Sequence, residues 1–330
     1  METLDKKIIL VTGVAGFIGS HIAEECLELG YKVRGIDNFS NGCKENLIEL
    51  VKCENFEFYE GDITNYNVCL KITKNVFCIF HEAALGSVPR SIKEPLLYTS
   101  NNIVGMHNML EASVVNNVQK FIYASSSSVY GDNKDHKKCI GQEGNILSPY
   151  ALSKKIDEEL AKLYYDLYGL KTVGLRYFNV FGERQKFDSI YSAVIPKFIN
   201  AIINNEEVLI NGTGNQSRDF TYVKNVVYAN VELLKNENNL IFGKVYNIGC
   251  EKNISINELY NKISKYLNKK TRIKYLPKRA GDVDDSLADL TTSRDFLGYQ
   301  PIFEFDDGLK QTIHWYLQLN DNRSKNEVNL

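Results

Sequence analysis

The chain lacks the features that mark membrane proteins, secreted proteins and nucleic-acid binders. Its 330 residues carry 39 basic and 41 acidic side chains, a net charge of −2, so no basic excess is available to hold nucleic acid. The longest apolar runs, such as Ile8–Val11 and Val76–Phe80, fall far short of the ~18 residues of a membrane helix. The first residues have acids before the lysines and no long apolar stretch, unlike a secretory signal. We therefore expect a cytoplasmic protein without a nucleic-acid or membrane partner.

Cysteine and proline are also used sparingly. The seven cysteines form no Cys-x-x-Cys pair, and an odd number with this spacing suits neither a zinc site nor a disulfide framework. We expect no metal site, and free thiols fit a reducing compartment. With six prolines, 44% hydrophobic residues and no low-complexity run, the composition is that of an ordinary globular protein of about two domains.

Short β-rich runs alternate with helical patterns in the first half of the chain. These runs are apolar on both sides, as expected for parallel strands with helices on both faces of the sheet. The alternation predicts an α/β fold with a Rossmann-type, doubly wound parallel sheet over residues 1–178. Beyond it, shorter segments predict a smaller C-terminal α/β substrate domain over residues 179–330, with segments near 219–249 as candidates to return to the first domain. The predicted strands are Lys7–Val11, Lys32–Ile36, Phe56–Tyr59, Val76–Phe80, Lys120–Ala124 and Lys171–Arg176.

A glycine-rich turn directly follows the first predicted strand and precedes a helical pattern. Gly13, Gly16 and Gly19 have the spacing G-x-x-G-x-x-G, one residue away from the dinucleotide fingerprint G-x-G-x-x-G. Such a turn brings backbone amides close to a pyrophosphate, although glycine turns before helices also serve packing. Asp37 ends the second strand, where a carboxylate accepts hydrogen bonds from the adenosine ribose and repels a 2′-phosphate. The pattern predicts NAD rather than NADP, and Asp62 after the third strand is either an adenine contact or a turn residue.

A second group of residues points to catalysis. Tyr150 and Lys154 are four residues apart on a predicted helix, so both side chains lie on one face. An ammonium group beside a phenol stabilises the phenolate, which lets a tyrosine act as a base near neutral pH. Upstream, the fifth strand ends in the run Ser125–Gly131, at the edge where open α/β sheets bind ligands. Alone, such a pair is common on helix surfaces and such serines suit a capped loop, but together they predict an active site.

These motifs together resemble those of the extended short-chain dehydrogenase/reductases that act on nucleotide sugars. The resemblance covers nearly the whole chain, to about Trp315. Within that family, the chain is most similar to the bacterial UDP-N-acetylglucosamine 4-epimerases of surface-polysaccharide pathways. The segments that carry the resemblance are Gly13–Gly19, His81–Ser91, Ser125–Gly131, Tyr150 with Lys154, Leu175–Gly182 and Asn211–Phe220.

The resemblance implies a mechanism of transient oxidation. Tyr150 takes the proton of the hydroxyl on sugar carbon 4 while NAD⁺ takes the hydride from that carbon, and the hydride then returns to the opposite face of the 4-keto sugar. Ser126 matches the catalytic serine, which bonds the same oxygen. Because each cycle regenerates NAD⁺, the cofactor is expected to stay bound. Helical patterns over 95–116 and 149–168 imply a homodimer interface, unless both faces are buried within one subunit.

The resemblance also assigns contacts residue by residue, with the UDP-sugar held by the domain over 179–330. Guanidinium groups suit the diphosphate of such a substrate, although an arginine in a surface salt bridge would look the same in the sequence. The implied cofactor contacts are Gly13, Gly16, Phe17, Ile18, Gly19, Asp37, Asn38, Asp62, Ile63, Ala83, Ala84, Asn102, Tyr150, Lys154 and Tyr177. The implied substrate contacts are Ser87, Ser125, Ser126, Ser127, Tyr150, Asn179, Ala193, Val194, Leu209, Asn211, Arg218, Arg279 and Asp282.

Neighbouring activities stay open as alternatives. Sugar 4,6-dehydratases carry an Asp-Glu pair where this chain has Ser126 and Ser127, so dehydration is not expected. A 4-epimerase of UDP-N-acetylglucosaminuronic acid, or of UDP-glucose and UDP-galactose, is the runner-up, since Ser87, Arg90 and Ser91 could hold a uronate. A hypothesis from a different class is a non-catalytic NAD-binding regulator. Such proteins typically lack the tyrosine or the lysine of the pair, and this chain has both.

Overall fold

A seven-stranded parallel sheet forms the centre of the fold. The computed structural model describes residues 7–187, 192–278 and 285–328, with side chains of the last helix described as far as Asp321. The sheet has the order β12-β7-β5-β4-β1-β2-β3, so successive strands are added outward on either side of the junction between β1 and β4. Its strands are β1 Ile8–Thr12, β2 Lys32–Asp37, β3 Phe56–Glu60, β4 Val76–His81, β5 Lys120–Ser126, β7 Lys171–Tyr177 and β12 Lys244–Ile248. The doubly wound, Rossmann-type sheet predicted from the sequence is confirmed.

Helices cover both faces of this sheet, and smaller sheets follow in the second half. The eleven described α-helices are α1 Phe17–Glu28, α2 Tyr66–Ile72, α3 Val88–Lys93, α4 Pro95–Tyr98, α5 Gly105–Val115, α6 Pro149–Tyr168, α7 Val194–Ile203, α8 Val223–Lys235, α9 Ile256–Tyr266, α10 Thr291–Leu297 and α11 Phe305–Val328. The remaining described strands are β6 Lys137–Lys138, β8 Val180–Phe181, β9 Val208–Asn211, β10 Ser217–Asp219, β11 Thr221–Tyr222, β13 Asn253–Ser255, β14 Ile273–Leu276 and β15 Asp285–Ala288. None of the described helices combines the length and the apolar character that crossing a bilayer requires.

Alternation along the central strands divides the core into two layers. Ile9 and Val11 of β1 pack into the layer that also contains much of the second half of the chain. Leu10, between them, packs into the opposite layer with Met109 and Leu110 of α5. The strands are apolar on both sides because both layers are covered by helices, which is why they read as continuous apolar runs in the sequence.

The segment near 219–249 lies beside the first domain. Helix α8 packs against α1, and β12 adds to the sheet edge through parallel pairing with β7, in which Tyr246 lies opposite Leu175. The smaller sheets include β13-β10-β15-β6 and the parallel pair β14-β9. The segment near 219–249 thus adds β12 and α8 to the central sheet layers, whereas the four-stranded smaller sheet combines later strands with β6 of the first half.

Local signals at both ends fix the position of α6, which carries the tyrosine–lysine pair. The Ser148 hydroxyl accepts a hydrogen bond from the amide of Ala151 at 3.1 Å, and Pro149 occupies the first turn, where its missing N–H costs nothing. At the other end Gly169 adopts a left-handed conformation with φ of 70°, as glycine does readily after a helix. The helix is therefore held in register, and its first turn lies at the carboxyl end of β5.

Candidate active site

A cavity of about 600 Å³ opens at the carboxyl ends of the central strands. This is the place where open α/β sheets bind ligands, at the point where the strand order reverses. The structure brings residues from the glycine turn, the serine run, the first turns of α6 and the segments after β7 into the walls of one space. The predicted site residues among its lining are Gly13, Gly16, Phe17, Ile18, Gly19, Ala84, Ser87, Ser125, Ser126, Ser127, Tyr150, Lys154, Tyr177, Asn179, Ala193 and Arg218.

A second cavity of about 250 Å³ adjoins the first. The two share Asn179, Ala193 and Arg218 in their walls, so together they form one continuous cleft. Apolar side chains, including Phe198 and Phe220, line the smaller space. The predicted substrate residues Val194, Leu209 and Asn211 lie there as well.

The remaining eight predicted site residues fall into two groups. Arg279 and Asp282 lie outside the described residues. The other six are described but do not line either cavity, and they lie behind or beside its walls. These six are Asp37, Asn38, Asp62, Ile63, Ala83 and Asn102.

The glycine turn fits closely against the loop after β4. Gly13 has φ of 66°, and a Cβ on this residue would lie 2.9 Å from the Cα of Ala83. A Cβ on Gly19 would collide with the carbonyl oxygen of Gly13. Gly16 caps the twelve-residue helix α1 without a side chain, so no side-chain acceptor occupies the first amides of that helix. Glycine is therefore needed at 13 and 19 for this turn to pack. Together with the open amides of α1, the turn forms a cradle that fits the pyrophosphate of a dinucleotide.

Two acids lie near the far end of this cradle. Asp37 accepts hydrogen bonds from the amide of Ala15 at 3.0 Å and from that of Phe39 at 2.8 Å, which ties the end of β2 to the glycine turn. Burial raises the pKa of Asp37, and these backbone hydrogen bonds oppose the rise. Asp62 accepts a hydrogen bond from the Asn38 amide at 2.9 Å. Both acids are held in place by protein groups, and each carboxylate keeps further lone pairs for a ligand.

The serine run is anchored at its first member. The Ser125 hydroxyl donates to Glu158 at 2.5 Å, so this side chain is engaged within the protein. The Ser126 hydroxyl accepts from the amide of Ser128 at 3.2 Å and faces the cavity. The Ser128 hydroxyl is buried beside the cavity and has no hydrogen-bond partner among the described residues. The run thus presents hydroxyl groups from Ser126 onward to the space above β5.

Tyr150 and Lys154 lie in the first turns of α6 and both line the larger cavity. The Lys154 ammonium donates to the carbonyl oxygen of Ala124 at 2.8 Å and to Oδ2 of Asp157 at 3.3 Å. The Tyr150 ring packs edge-to-face on Tyr98, with 6.2 Å between ring centroids. The pair predicted from its spacing is therefore placed on one face of α6, at the wall of the cavity that the glycine turn also lines.

Asn102 shapes the wall from behind. It lies in a π-helical turn, Thr99–Val104, that links α4 to α5. Its side chain accepts from the amide of Leu85 at 2.9 Å and donates to the carbonyl oxygen of the same residue at 3.2 Å. It also donates to the Ser153 hydroxyl at 3.0 Å. Asn102 thereby fastens the loop after β4 to α6, the helix that carries the tyrosine–lysine pair.

Glu82 is a wall residue that the sequence analysis missed. It follows β4 directly, lines the cavity and accepts a hydrogen bond from the Tyr177 hydroxyl at 2.9 Å. Asn230 of α8 donates to that same hydroxyl at 2.8 Å. Burial raises the pKa of Glu82 to about 7, against the lowering effects of the Tyr177 hydrogen bond and the Lys154 ammonium. Its position immediately after a buried strand, at the ligand-binding edge, was the available signal.

The cavity is basic although the chain is slightly acidic. Six basic side chains and one acidic side chain, Glu82, are among its described lining residues. Three of the six, Lys138, Arg184 and Lys186, were not singled out from the sequence. Arg184 donates from one nitrogen to both carboxylate oxygens of Glu24, and its Nη1 is buried without a hydrogen-bond partner in the described structure. The basic residues are Arg90, Lys138, Lys154, Arg184, Lys186 and Arg218, and their charge suits phosphate-bearing ligands.

Comparison with known proteins agrees with this arrangement. Residues 9–249 match the NAD dependent epimerase/dehydratase family. A structure of the UDP-N-acetylglucosamine 4-epimerase from Methanobrevibacter ruminantium M1, in complex with UDP-N-acetylmuramic acid, is 40% identical, with a TM-score of 0.90 over 96% of this chain and 100% of that one.

Two further structures are similar over nearly their whole length. UDP-glucose 4-epimerase of Thermotoga maritima, with UDP-glucose, is 34% identical, with a TM-score of 0.88 over 94% of this chain and 99% of the other. UDP-glucuronic acid 4-epimerase of Bacillus cereus, in complex with UDP-glucuronic acid and NAD, is 32% identical, with a TM-score of 0.89 and the same coverage. The three similar proteins are thus named for three different sugars.

Proposed function

The chain belongs to the NAD dependent epimerase/dehydratase family, and from that premise we propose that it is a 4-epimerase of UDP-N-acetylhexosamines, interconverting UDP-GlcNAc and UDP-GalNAc. The coarser part of this statement, an isomerase of UDP-sugars that uses NAD, rests on similar proteins that share the fold and the activity. The observation that carries the proposal is that Tyr150, Lys154 and Ser126 line one basic cavity with the glycine cradle.

The proposed chemistry places the proton transfer on Tyr150. Its phenolate takes the proton of the hydroxyl on sugar carbon 4, and Ser126 donates a hydrogen bond to the same oxygen. Lys154 supplies the positive charge that stabilises the phenolate. When NAD is bound, it supplies the acceptor for the hydride of carbon 4 and its return. The serines at 126 and 127 offer no acid–base pair for eliminating water, which favours epimerisation over dehydration.

We assign the larger cavity to the cofactor and the sugar. In this proposal the glycine cradle, with Phe17 and Ile18, holds the pyrophosphate. Asp37 bonds the adenosine ribose, and Asn38, Asp62 and Ile63 border the adenine from beside the cavity. Ala83, Ala84 and Tyr177 border the nicotinamide half. Asn102 affects the cofactor site indirectly, because its side chain is hydrogen-bonded to Leu85 and Ser153.

The smaller cavity is proposed to hold the uridine. Val194, Leu209 and Asn211 form its walls, and Ala193 and Asn179 lie at the junction with the sugar space. Arg218 borders both cavities and is the proposed contact of the diphosphate. Arg279 and Asp282 are predicted to complete this contact from outside the described residues. Ser87 and Ser127 are proposed to contact the sugar, and Ser125 to act through its backbone because its hydroxyl is held by Glu158.

One contact favours a neutral sugar over a uronate. Arg90 is the cation at the sugar end of the cavity, beside Ser87 and Tyr98. Its guanidinium already donates from two nitrogens to Glu94, at 3.2 and 3.1 Å. A uronate carboxylate would have to share this guanidinium with Glu94, and the two negative charges would repel each other. We therefore rank UDP-N-acetylglucosaminuronic acid below UDP-GlcNAc as a substrate.

Product analysis tests the substrate assignment. The purified protein is incubated separately with UDP-GlcNAc, UDP-N-acetylglucosaminuronic acid, UDP-glucose and UDP-glucuronic acid, and the epimers are separated chromatographically. We expect UDP-GalNAc as the product formed with the highest kcat/KM. A higher kcat/KM for a uronic acid or for UDP-glucose would move the assignment to that sugar, and no epimer from any of the four would contradict the function itself.

We further propose that the protein is a cytoplasmic homodimer. All seven cysteines are free thiols, which suits a reducing compartment. Apolar side chains on α4 and α6 face solvent in the single chain, among them Leu96 at 83% and Leu167 at 68% exposure. A second copy that pairs these helices would cover them. Sedimentation at micromolar concentration is expected to give a dimer, and the Leu167→Glu variant a monomer. A monomer for the unaltered chain would contradict this assembly.

A further inference from the structure

The Lys154 ammonium has a buried partner that the proposed mechanism does not use. Lys154 and Asp157 are one turn apart on α6, and their side chains are only 4% and 2% exposed. Ion pairs on the outer face of this helix are different in kind: Lys155 with Glu159, for example, lies 36% and 63% exposed. Exposed pairs of this type contribute little to stability, whereas burying a carboxylate destabilises the folded state unless a partner compensates for its charge.

The hydrogen bonds of Lys154 account for two of its three N–H groups. One goes to the carbonyl oxygen of Ala124 at the end of β5, and one to Oδ2 of Asp157. An ammonium group has three donors and no acceptor, so one N–H remains for the cavity that Lys154 lines. The two protein acceptors lie on different elements, and together they fix the direction in which the third N–H points.

Asp157 itself is poorly satisfied. Its second oxygen, Oδ1, is buried and has no hydrogen-bond partner among the described residues. A carboxylate with one oxygen unsatisfied and the other on an ammonium group is held mainly by that charge. Asparagine at this position would keep an acceptor for Lys154 but would remove the charge.

We propose that Asp157 is a positioning residue for the reaction, because its buried carboxylate holds the Lys154 ammonium in place and aimed at the cavity. The inference rests on the proposed role of Lys154 beside Tyr150. Asp157 does not line the cavity, so it would act on the reaction through Lys154 and would touch neither substrate nor cofactor. Without the charge of Asp157, the buried ammonium would keep the Ala124 carbonyl as its one charged or strongly polar partner among the described acceptors and would be less firmly aimed.

Other charged and titratable groups surround this pair. Glu158 lies next to Asp157 on α6 but is committed to Arg176 of β7 and to Ser125. Tyr123 of β5 faces Asp157 and Glu158. Burial is the main cause that raises the pKa of Tyr123, and the negative charges of the two acids raise it further. Glu82 and His81, at the end of β4, lie within the influence of the Lys154 charge. None of these groups is hydrogen-bonded to the Lys154 ammonium in the described structure, so Asp157 is the acid that holds it.

A pH dependence follows from the burial of the acid. Burial raises the pKa of Asp157 to about 7, with the Lys154 ammonium opposing the rise. Below this pH the acid becomes neutral and its hold on Lys154 weakens. The kcat of the unaltered protein should therefore rise with pH through about 7, and Asp157→Asn should lose that limb of the profile.

The activity test compares Asp157→Asn with Glu159→Gln, a matched control that removes one exposed acid from the same helix. We expect Asp157→Asn to lower kcat about tenfold at pH 8, with KM for the UDP-sugar within twofold and NAD content unchanged, and Glu159→Gln to match the unaltered protein. An Asp157→Asn variant that retains both kcat and the pH profile would overturn the proposal. A KM effect with unchanged kcat would also overturn it, because the loss would then lie in substrate binding.

A stability measurement tests the interaction between Asp157 and Lys154 without requiring enzymatic activity. Urea unfolding is measured for Asp157→Asn, Lys154→Met and the double variant. We expect Asp157→Asn to lower the unfolding midpoint in the unaltered background and to leave it unchanged or raised in the Lys154→Met background. Equal losses in both backgrounds would show a purely structural Asp157 and overturn the proposal. This result stands even if no UDP-sugar is turned over, so failure of the inference and failure of the proposed function are distinguishable.

Discussion

Removal of the Glu158 carboxylate tests whether a buried ion pair supports the serine run. Glu158 accepts from Arg176 through Nε and Nη2, both at 2.8 Å, and from the Ser125 hydroxyl. Arg176 is 1% exposed, so Glu158→Ala would leave a guanidinium buried with Glu143 and the Tyr130 ring as its remaining partners. Breaking a buried pair in this way costs about 3–5 kcal/mol. We expect the lower end of that range, because Glu143 keeps its contact.

Urea unfolding measures this loss directly. Glu158→Ala is compared with Glu158→Gln, which keeps the hydrogen-bonding shape and should lose less, and with the exposed control Glu159→Gln, which should stay within about 0.5 kcal/mol of the unaltered protein. Because Ser125 also loses its anchor, kcat should fall in Glu158→Ala under conditions where the variant is folded. A stability loss below about 1 kcal/mol would refute the idea that this pair holds the end of β5 in place.

Three further outcomes are expected. Tyr150→Phe should abolish turnover while purified protein still releases NAD on heating, and activity within a few-fold would show that Tyr150 is not the base. Gly19→Ala should lower NAD content, because its Cβ would collide with the Gly13 carbonyl oxygen, and an unchanged content would contradict the cradle. Burial lowers the pKa of His81 to about 3, so the folded state binds fewer protons than the unfolded state between that value and 6.5. The stability that depends on a neutral His81 ring is thus lost as pH falls below about 6.5. Between pH 7 and pH 5, the unfolding free energy of the unaltered protein should fall by about 2 kcal/mol relative to that of His81→Asn. A constant difference would contradict this.

Much of the fold follows from local patterns. Runs such as the one that forms β4 are apolar on both sides, and the layers on both faces of the sheet explain why. The capping serine and following proline of α6 are likewise local signals, as is the four-residue spacing of Tyr150 and Lys154. These features depend on neighbours in the sequence, so the sequence alone predicts them.

The parts of the site that the sequence analysis missed depend on contacts between distant segments. Arg184 reaches the cavity through its ion pair with Glu24, 160 residues away. Glu82 was missed because its partner, the Tyr177 hydroxyl, lies on a strand 95 residues later. Conversely, Asn102 is near the site but faces Leu85, which its sequence context does not reveal. Residue type and spacing indicate which chemistry is available, whereas the fold decides which side chains face the cavity.

The most direct test of the account follows the hydrogen on sugar carbon 4. UDP-GlcNAc carrying deuterium at that carbon is incubated with the purified protein in ordinary water, and the UDP-GalNAc formed is analysed by mass spectrometry and NMR. Transient oxidation at carbon 4 with return of the same hydrogen predicts that the product keeps its deuterium at carbon 4. Product with hydrogen from water at that position would contradict the central claim that epimerisation proceeds by oxidation at carbon 4 in this cavity.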